Sequence, residues 1–277
     1  MRVPAGRIFL WTMLVVTFLF VHAPTIVVIG ASFSGGSQYS TIEFPPTQLS
    51  FDRYLAIPSN QFNALWLSIR LAALSAAVAI VLGVPAAFGI VRSTTRFKGL
   101  FSMIFRAPLQ IPAVVVGITF LQLSYAAGDA FGFEFKGSFL ALAVAHSFIA
   151  TPYVIGTVTA VLQRFDRRLE EAAYSMGASP WRTFRRVTLP QIMPGVYAGA
   201  LYAFMVSFGD VPISIFLSAP GLTTYPVEAF EGLEQNFDPS ILASASLVIA
   251  FCFTAMLLVQ RGVGLNNLLR TGGSGGR

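Results

Sequence analysis

Apolar residues in this chain run in long stretches, and the polar ones collect between them. A helix crossing a bilayer needs roughly 20 predominantly apolar residues. Six stretches meet that length, at about 8–32, 62–91, 102–127, 138–162, 190–218 and 239–260. The second contains Arg70 and the fifth Asp210, and the other four carry no charge in their central turns. Pro24, Pro85, Pro108, Pro112, Pro152 and Pro212 sit in or beside spans. Membrane helices tolerate proline because neighbouring helices re-satisfy the carbonyls it frees. The pattern predicts an all-α fold, a polytopic membrane protein with six transmembrane helices. Residues 1–270 are expected to form a single transmembrane domain, with a flexible Gly/Ser-rich tail at 271–277.

The polar segments differ in sign, and the difference sets an orientation. Of 18 Lys and Arg, 15 lie in four segments: the amino end, the 92–106 loop, the 163–189 loop and the tail. Short loops rich in Lys and Arg stay cytoplasmic. The alternate loops hold Glu43, Asp52, Asp129, Glu134, Glu228, Glu231, Glu234 and Asp238, with only Arg53 and Lys136 among them. An even number of spans with both termini cytoplasmic satisfies every loop, whereas five or seven spans would break the alternation. The first stretch follows Arg2 and Arg7 and is too long for a cleaved signal, so it reads as a retained span.

Composition supports a membrane solvent: 55% of the residues are hydrophobic and 11% charged, against about 25% charged in soluble domains. The net charge of +6 does not mark a nucleic-acid binder, because the basic residues are spread over four segments instead of one module. A single cysteine, Cys252, rules out an internal disulfide. His22 and His146 lie in different spans without a neighbouring carboxylate in sequence, and both read as structural; no metal site is expected.

Among the outer loops, Leu49–Tyr54 suggests a short surface helix with Ser50 as its N-cap. The inner 163–189 loop is more informative. Leu169 to Met176 is composed of good helix formers, and Gly177 is placed to end that helix in a left-handed conformation. Ser179 then caps a second helix with Pro180 at its first position. Trp181, Phe184 and Val187/Thr188 fall three to four apart as an apolar face, with Arg182, Arg185 and Arg186 on another. The second helix therefore suits a membrane interface, with Trp181 at headgroup depth.

Here the sequence resembles a family. Glu171-Ala172-Ala173, then Gly177, then Val187 and Leu189-Pro190 match in every spacing the cytoplasmic signature of binding-protein-dependent ABC importer permeases. The one departure is Val187, where that signature has Ile. The resemblance covers nearly the whole chain and is greatest to the spermidine/putrescine permease group. It implies a coupling helix between spans 4 and 5, at Glu171–Ser179, seated in a groove of a separate ATPase. Glu171, Ala172, Ala173, Gly177, Ala178 and Ser179 would form that contact. Trp181, Arg182, Arg185 and Arg186 would form an interfacial arm facing lipid headgroups.

The implied partners are two copies of an ATPase, a second permease subunit (homologous rather than identical), an extracytoplasmic substrate-binding protein and membrane lipids. The chain has no Gly-x-x-x-x-Gly-Lys-Ser/Thr loop. It is thus expected to bind no cofactor and to be no enzyme, with ATP and Mg on the partner ATPase. The location implied is the bacterial inner membrane.

Substrate is less constrained. Ser207, Asp210 and Pro212 stand in a Ser-Phe-Gly-Asp-Val-Pro run similar to the fifth span of polyamine, iron(III) and thiamine permeases. An intramembrane carboxylate is a functional-site hypothesis by default. Asp210, Ser207, Arg70 and Tyr225 are the candidates for the substrate path. A helix end already in water, or a structural Asp210–Arg70 pair, is the competing reading of Asp210. Among substrates a polyamine is favoured. The rival class is a secondary transporter or channel, which would need more ionisable residues in its spans than Arg70 and Asp210.

Overall fold

The computed structural model describes residues 5–35, 43–132, 134–235 and 238–263, so the 271–277 tail lies outside the described residues. All regular elements among them are helical. In order they are α1 (Ala5–Ser32), α2 (Asp52–Leu55), α3 (Ser59–Arg92), α4 (Lys98–Arg106), a 3-10 turn (Ala107–Gln110), α5 (Ala113–Phe131) and α6 (Phe139–Arg164). Then come α7 (Arg168–Ser175), α8 (Pro180–Thr183), a π turn (Phe184–Thr188), α9 (Leu189–Phe208), α10 (Pro212–Leu217), α11 (Tyr225–Gln235) and α12 (Ser240–Val263). Six helices among the described residues are long and apolar enough to cross a membrane: 6–32, 59–92, 113–131, 139–164, 180–208 and 240–257.

The fifth candidate span starts at 180 instead of 190 because α8 and the π turn run on into α9, and other differences from expectation also have local reasons. The third span begins at Ala113, not near 102. Pro108 and Pro112 interrupt the apolar run, and the residue before a proline is pushed out of the α region; Ile111 is extended, with ψ 130°. The residues ahead of the break form α4, an amphipathic helix whose Lys98 and Arg106 flank Phe101, Ile104 and Phe105. The fifth span stops at Phe208 instead of running to 218, because Gly209 and Pro212 break the ladder and a new helix, α10, starts. The acidic segment 225–235, expected as loop, is helix α11.

The described residues divide into two compact units, one drawn from residues up to 62 with 229–254 and the other from 63–228 with 255–263. In the first unit, α1 leaves its side chains exposed from Ile8 through Phe20. The end of α1 meets α2 and α12 through polar contacts. The Tyr54 hydroxyl bonds both Ser32 Oγ (2.7 Å) and Ser246 Oγ (2.8 Å), and Arg53 donates to the Ala31 carbonyl at 2.5 Å. Ser244 donates to Gln61 Oε1 at 2.7 Å. Ser50 does accept from the Asp52 amide at 3.0 Å, but the capping position of α2 is Phe51, one residue later than expected.

The second unit holds two apolar cores. One packs Ala79, Ala150, Val154, Val158, Ile192 and Ala203 between α3, α6 and α9. A Cβ on Gly199 would stand 2.5 Å from the Thr157 hydroxyl and 2.9 Å from Val154 Cα; on Gly195 it would stand 3.0 Å from the Thr157 carbonyl. Gly195 and Gly199 are one turn apart on α9, the spacing that lets membrane helices approach backbone to backbone. The second core packs Leu71, Leu142, Ile213 and Leu217 between α3, α6 and α10.

Candidate functional site

Two clusters of polar residues in the second unit carry the candidate chemistry. The first is the α7–α8 loop. Gly177 has φ +80°, a conformation that costs a residue with a Cβ about 1–2 kcal/mol. Its amide donates to Tyr174 O at 2.9 Å, and the Ala178 amide donates to Ala173 O at 3.0 Å. This pair of bonds is the Schellman closure, which satisfies the last carbonyls of α7. Ser179 Oγ then accepts the Arg182 amide at 3.4 Å, and Pro180 opens α8. The two helices therefore meet at a turn fixed from both sides.

The faces of this loop are unequal. Glu171, Ala172 and Ser179 are exposed, Ala178 is half-buried and Ala173 is buried. Met176 is 82% exposed, and Leu169, Tyr174 and Trp181 are exposed as well. Arg182, Arg185 and Arg186 all face outward. Of the apolar face expected from Trp181, Phe184 and Val187/Thr188, Trp181 is exposed and Thr188 is buried. Thr183 and Thr188, five apart, are the buried positions, while Phe184 and Val187 are half-buried. The reason is the π turn over Phe184–Thr188, whose i to i+5 bonding aligns residues five apart.

Glu170, one residue ahead of the signature, is buried. Its Oε1 accepts from Arg92 Nη2 at 2.5 Å and also from the Thr188 hydroxyl. Arg92 lies 4.8 Å from the centre of the Phe88 ring, which meets Phe184 edge-on at 5.7 Å. Trp181 stacks on Phe184, also at 5.7 Å. Sequence reasoning missed Glu170 because Glu171 satisfied the spacing, and it counted Arg92 only as an inner-loop charge. One signal was present: Glu170 and Ala173 are three apart and so share a helix face.

The second cluster lies at the α9–α10 break. Asp210 Oδ2 accepts the amides of Ile213 and Ser214 at 3.0 Å each, and the Ser214 hydroxyl at 3.3 Å. It thereby caps α10, whose first residue, Pro212, has no amide to offer. His146, fully buried on α6, bonds Ser207 Oγ at 2.9 Å through Nδ1 and Ser214 Oγ at 3.1 Å through Nε2. Its Nε2 is 3.9 Å from Asp210 Oδ2. Histidine, serines and aspartate join α6, α9 and α10 in one buried network.

Of the four substrate-path candidates, the structure brings Ser207 and Asp210 together and leaves the others apart. Arg70 is exposed, 5.9 Å over the Trp66 ring, and makes no ion pair with Asp210. Tyr225 is buried at the start of α11, its amide donating to Ser68 Oγ at 2.8 Å.

Comparison with known proteins places this geometry. Residues 79–263 match the family described as binding-protein-dependent transport system inner membrane component. The putrescine transport system permease protein PotI of Escherichia coli (strain K12) is 34% identical over 238 residues, covering 85% of this chain and 84% of the relative. The molybdenum transport system permease protein ModB of Mycobacterium tuberculosis is 31% identical, covering 78% and 83%. A solved bacterial ABC transporter involved in the import of the acidic polysaccharide alginate shares the fold. Its TM-score is 0.69 over 94% of this chain and 98% of that one, at 15% identity. The chain belongs to the binding-protein-dependent transport system inner membrane component family, and is a multi-pass inner-membrane permease subunit of an ABC importer.

Proposed function

We propose that this permease forms half of the path of an ATP-driven importer for a polyamine, with residues 171–179 as its ATPase-docking helix. The observation that carries the docking assignment is the asymmetry of the α7–α8 loop. Glu171, Ala172, Tyr174 and Met176 project outward, while Glu170 and Ala173 hold the helix from behind. Gly177 supplies the turn that presents the surface. Closure of two ATPases on ATP, with Mg, would carry the docking helices together and switch the spans between inward- and outward-facing states by rigid-body motion. This chain hydrolyses nothing itself. A second, homologous permease supplies the other half of the path, and an extracytoplasmic binding protein delivers the solute. Both termini lie in the cytoplasm under this reading, and Trp181 with Arg182, Arg185 and Arg186 rests among lipid headgroups.

The polyamine assignment is supported by the similarity to a putrescine permease and by the acidic residues Glu228, Glu231, Glu234 and Asp238 on the outer side. A second reading, an oxyanion such as molybdate, has the ModB similarity in its favour. Calorimetry of the extracytoplasmic binding protein that serves this permease, with putrescine, spermidine and molybdate, decides between them. Co-purification of a tagged permease with an ATPase tests the docking assignment. A chain that never retains an ATPase is not an importer subunit.

A further inference from the structure

The 690 Å³ groove along α3, α4 and α6 is lined by apolar residues apart from Ser147 and Thr151, and nothing in the structure names its occupant. The His146–Asp210 network bonds both imidazole nitrogens and Asp210 Oδ2 to groups of the chain itself. Glu170 stands apart: a carboxylate outside the signature, buried, and used by two elements besides its own.

We propose that Glu170 is a positioning residue that ties the docking helix α7 to the cytoplasmic end of α3, so that α3 moves with the ATPase. The inference rests on the importer reading above. By chain connectivity alone, α7 is joined to α6 before it and to α8 and α9 after it. Motion of the docking helix reaches α3 only through non-covalent contact. Glu170 supplies that contact through Arg92 in the last turn of α3, and it holds the π turn leading into α9 through Thr188. The rings of Phe88 and Phe184 pack beside the pair, and Arg92 lies against Phe88. A buried carboxylate stripped of its cation is strongly disfavoured, so the pair opens reluctantly. An exposed pair would instead exchange with water and transmit little. The Arg92 side chain is 36% exposed and that of Glu170 only 10%, so the carboxylate is the more constrained partner. Nine residues before Arg92, α3 packs on α6 closely enough that a Cβ on Gly83 would meet Val154 at 2.9 Å. A push on Arg92 therefore enters a helix already engaged with the first core.

The test uses the assembled transporter in proteoliposomes, with Cys252→Ser and spin labels on Thr94→Cys, just past α3, and Arg168→Cys, on α7. In the parent, the distance between the labels is expected to hold when Mg·ATP and vanadate trap the closed ATPases. In Glu170→Gln it should shift by on the order of a few ångström on trapping. Putrescine uptake per ATP should fall roughly tenfold, with the ATPase still co-purifying. The exchange Arg92→Glu with Glu170→Arg should restore the constant distance. A Glu170→Gln protein whose distance holds as in the parent overturns the inference, as does an exchange no better than either single variant. If the parent retains no ATPase, the importer reading falls and this inference falls with it. If the parent assembles and traps ATP but takes up no putrescine, only the polyamine assignment is lost, and the label distances still decide the role of Glu170.

Discussion

The α7–α8 loop and the α9–α10 break use polar residues in opposite ways. In the loop, Glu171, Ala172 and Gly177 of the family signature are exposed, Ala173 is buried, and Glu170, which anchors the helix, lies just outside the signature. At the break, the residues that looked functional, Asp210 and Ser207, face inward and are consumed by α10 and His146. The loop leaves its polar groups exposed, whereas the break engages them with its own backbone and His146. A charged or polar residue at a notable position is thus a site only when the structure leaves it something to bind. That contrast predicts that the two regions respond to mutation through different observables.

The largest effect is expected at Gly177. Proline there cannot adopt φ +80° and has no amide for Tyr174 O, so Gly177→Pro should disrupt the turn by about 3 kcal/mol or more. The spans lie outside the turn, so insertion and detergent melting temperature should stay close to the parent while ATPase co-purification and uptake are lost. Normal uptake by this variant would remove the docking role from the loop. Asp210→Ala comes next and is expected to act on stability. It removes the cap of α10 and leaves buried amides unpaired, at a cost of about 2 kcal/mol. Thermal unfolding in detergent should show a clear drop, with ATPase retention unchanged in the protein that remains folded. An undiminished melting temperature would reopen Asp210 as a substrate contact.

Glu171→Lys is the sharper test of the comparison because Glu171 and Glu170 are adjacent. Glu171 is exposed and touches nothing that its reversal would strain, so the fold should be unaffected. A reversed charge at the proposed docking face should weaken ATPase retention about tenfold, the scale of 1.4 kcal/mol. Retention equal to the parent, measured by pull-down across a salt series, would place the contact elsewhere.

The architecture could be read from the sequence where length and composition alone decide, and not where backbone geometry decides. Six apolar stretches specify six helices because a bilayer admits few alternatives. The helix–glycine–helix loop was equally readable, since Gly177, Ser179 and Pro180 each have one favourable place at a helix end. The π turn was not, because nothing in Phe184–Thr188 distinguishes i+5 from i+4 bonding; the buried positions, Thr183 and Thr188, consequently stand five apart, a spacing the helical pattern does not mark. The pairing of Glu170 with Arg92, 78 positions away, was hidden for a different reason. Glu171 already satisfied the signature spacing beside Glu170, and Arg92 was counted as an inner-loop charge. The His146 network was half visible: a structural histidine was expected, its serine and aspartate partners on other helices were not.

The smallest predicted effect separates the two uses of polarity most cleanly. Ser207 is buried and bonds His146 Nδ1, so Ser207→Ala should leave that nitrogen unpaired and cost about 1 kcal/mol. Intramembrane hydrogen bonds average less than this, near 0.6 kcal/mol, so the drop in melting temperature will be modest. Transport tells more. If the network is scaffolding, Ser207→Ala lowers stability and leaves the KM for putrescine untouched, because no solute reaches a buried hydroxyl already engaged. If the α9–α10 break opens to solute when the spans rearrange, the KM rises while the melting temperature barely changes. A rise in KM without loss of stability would move Ser207 and Asp210 into the same class as Glu171, groups held for something outside the chain, and the contrast between loop and break would apply only to the conformation described.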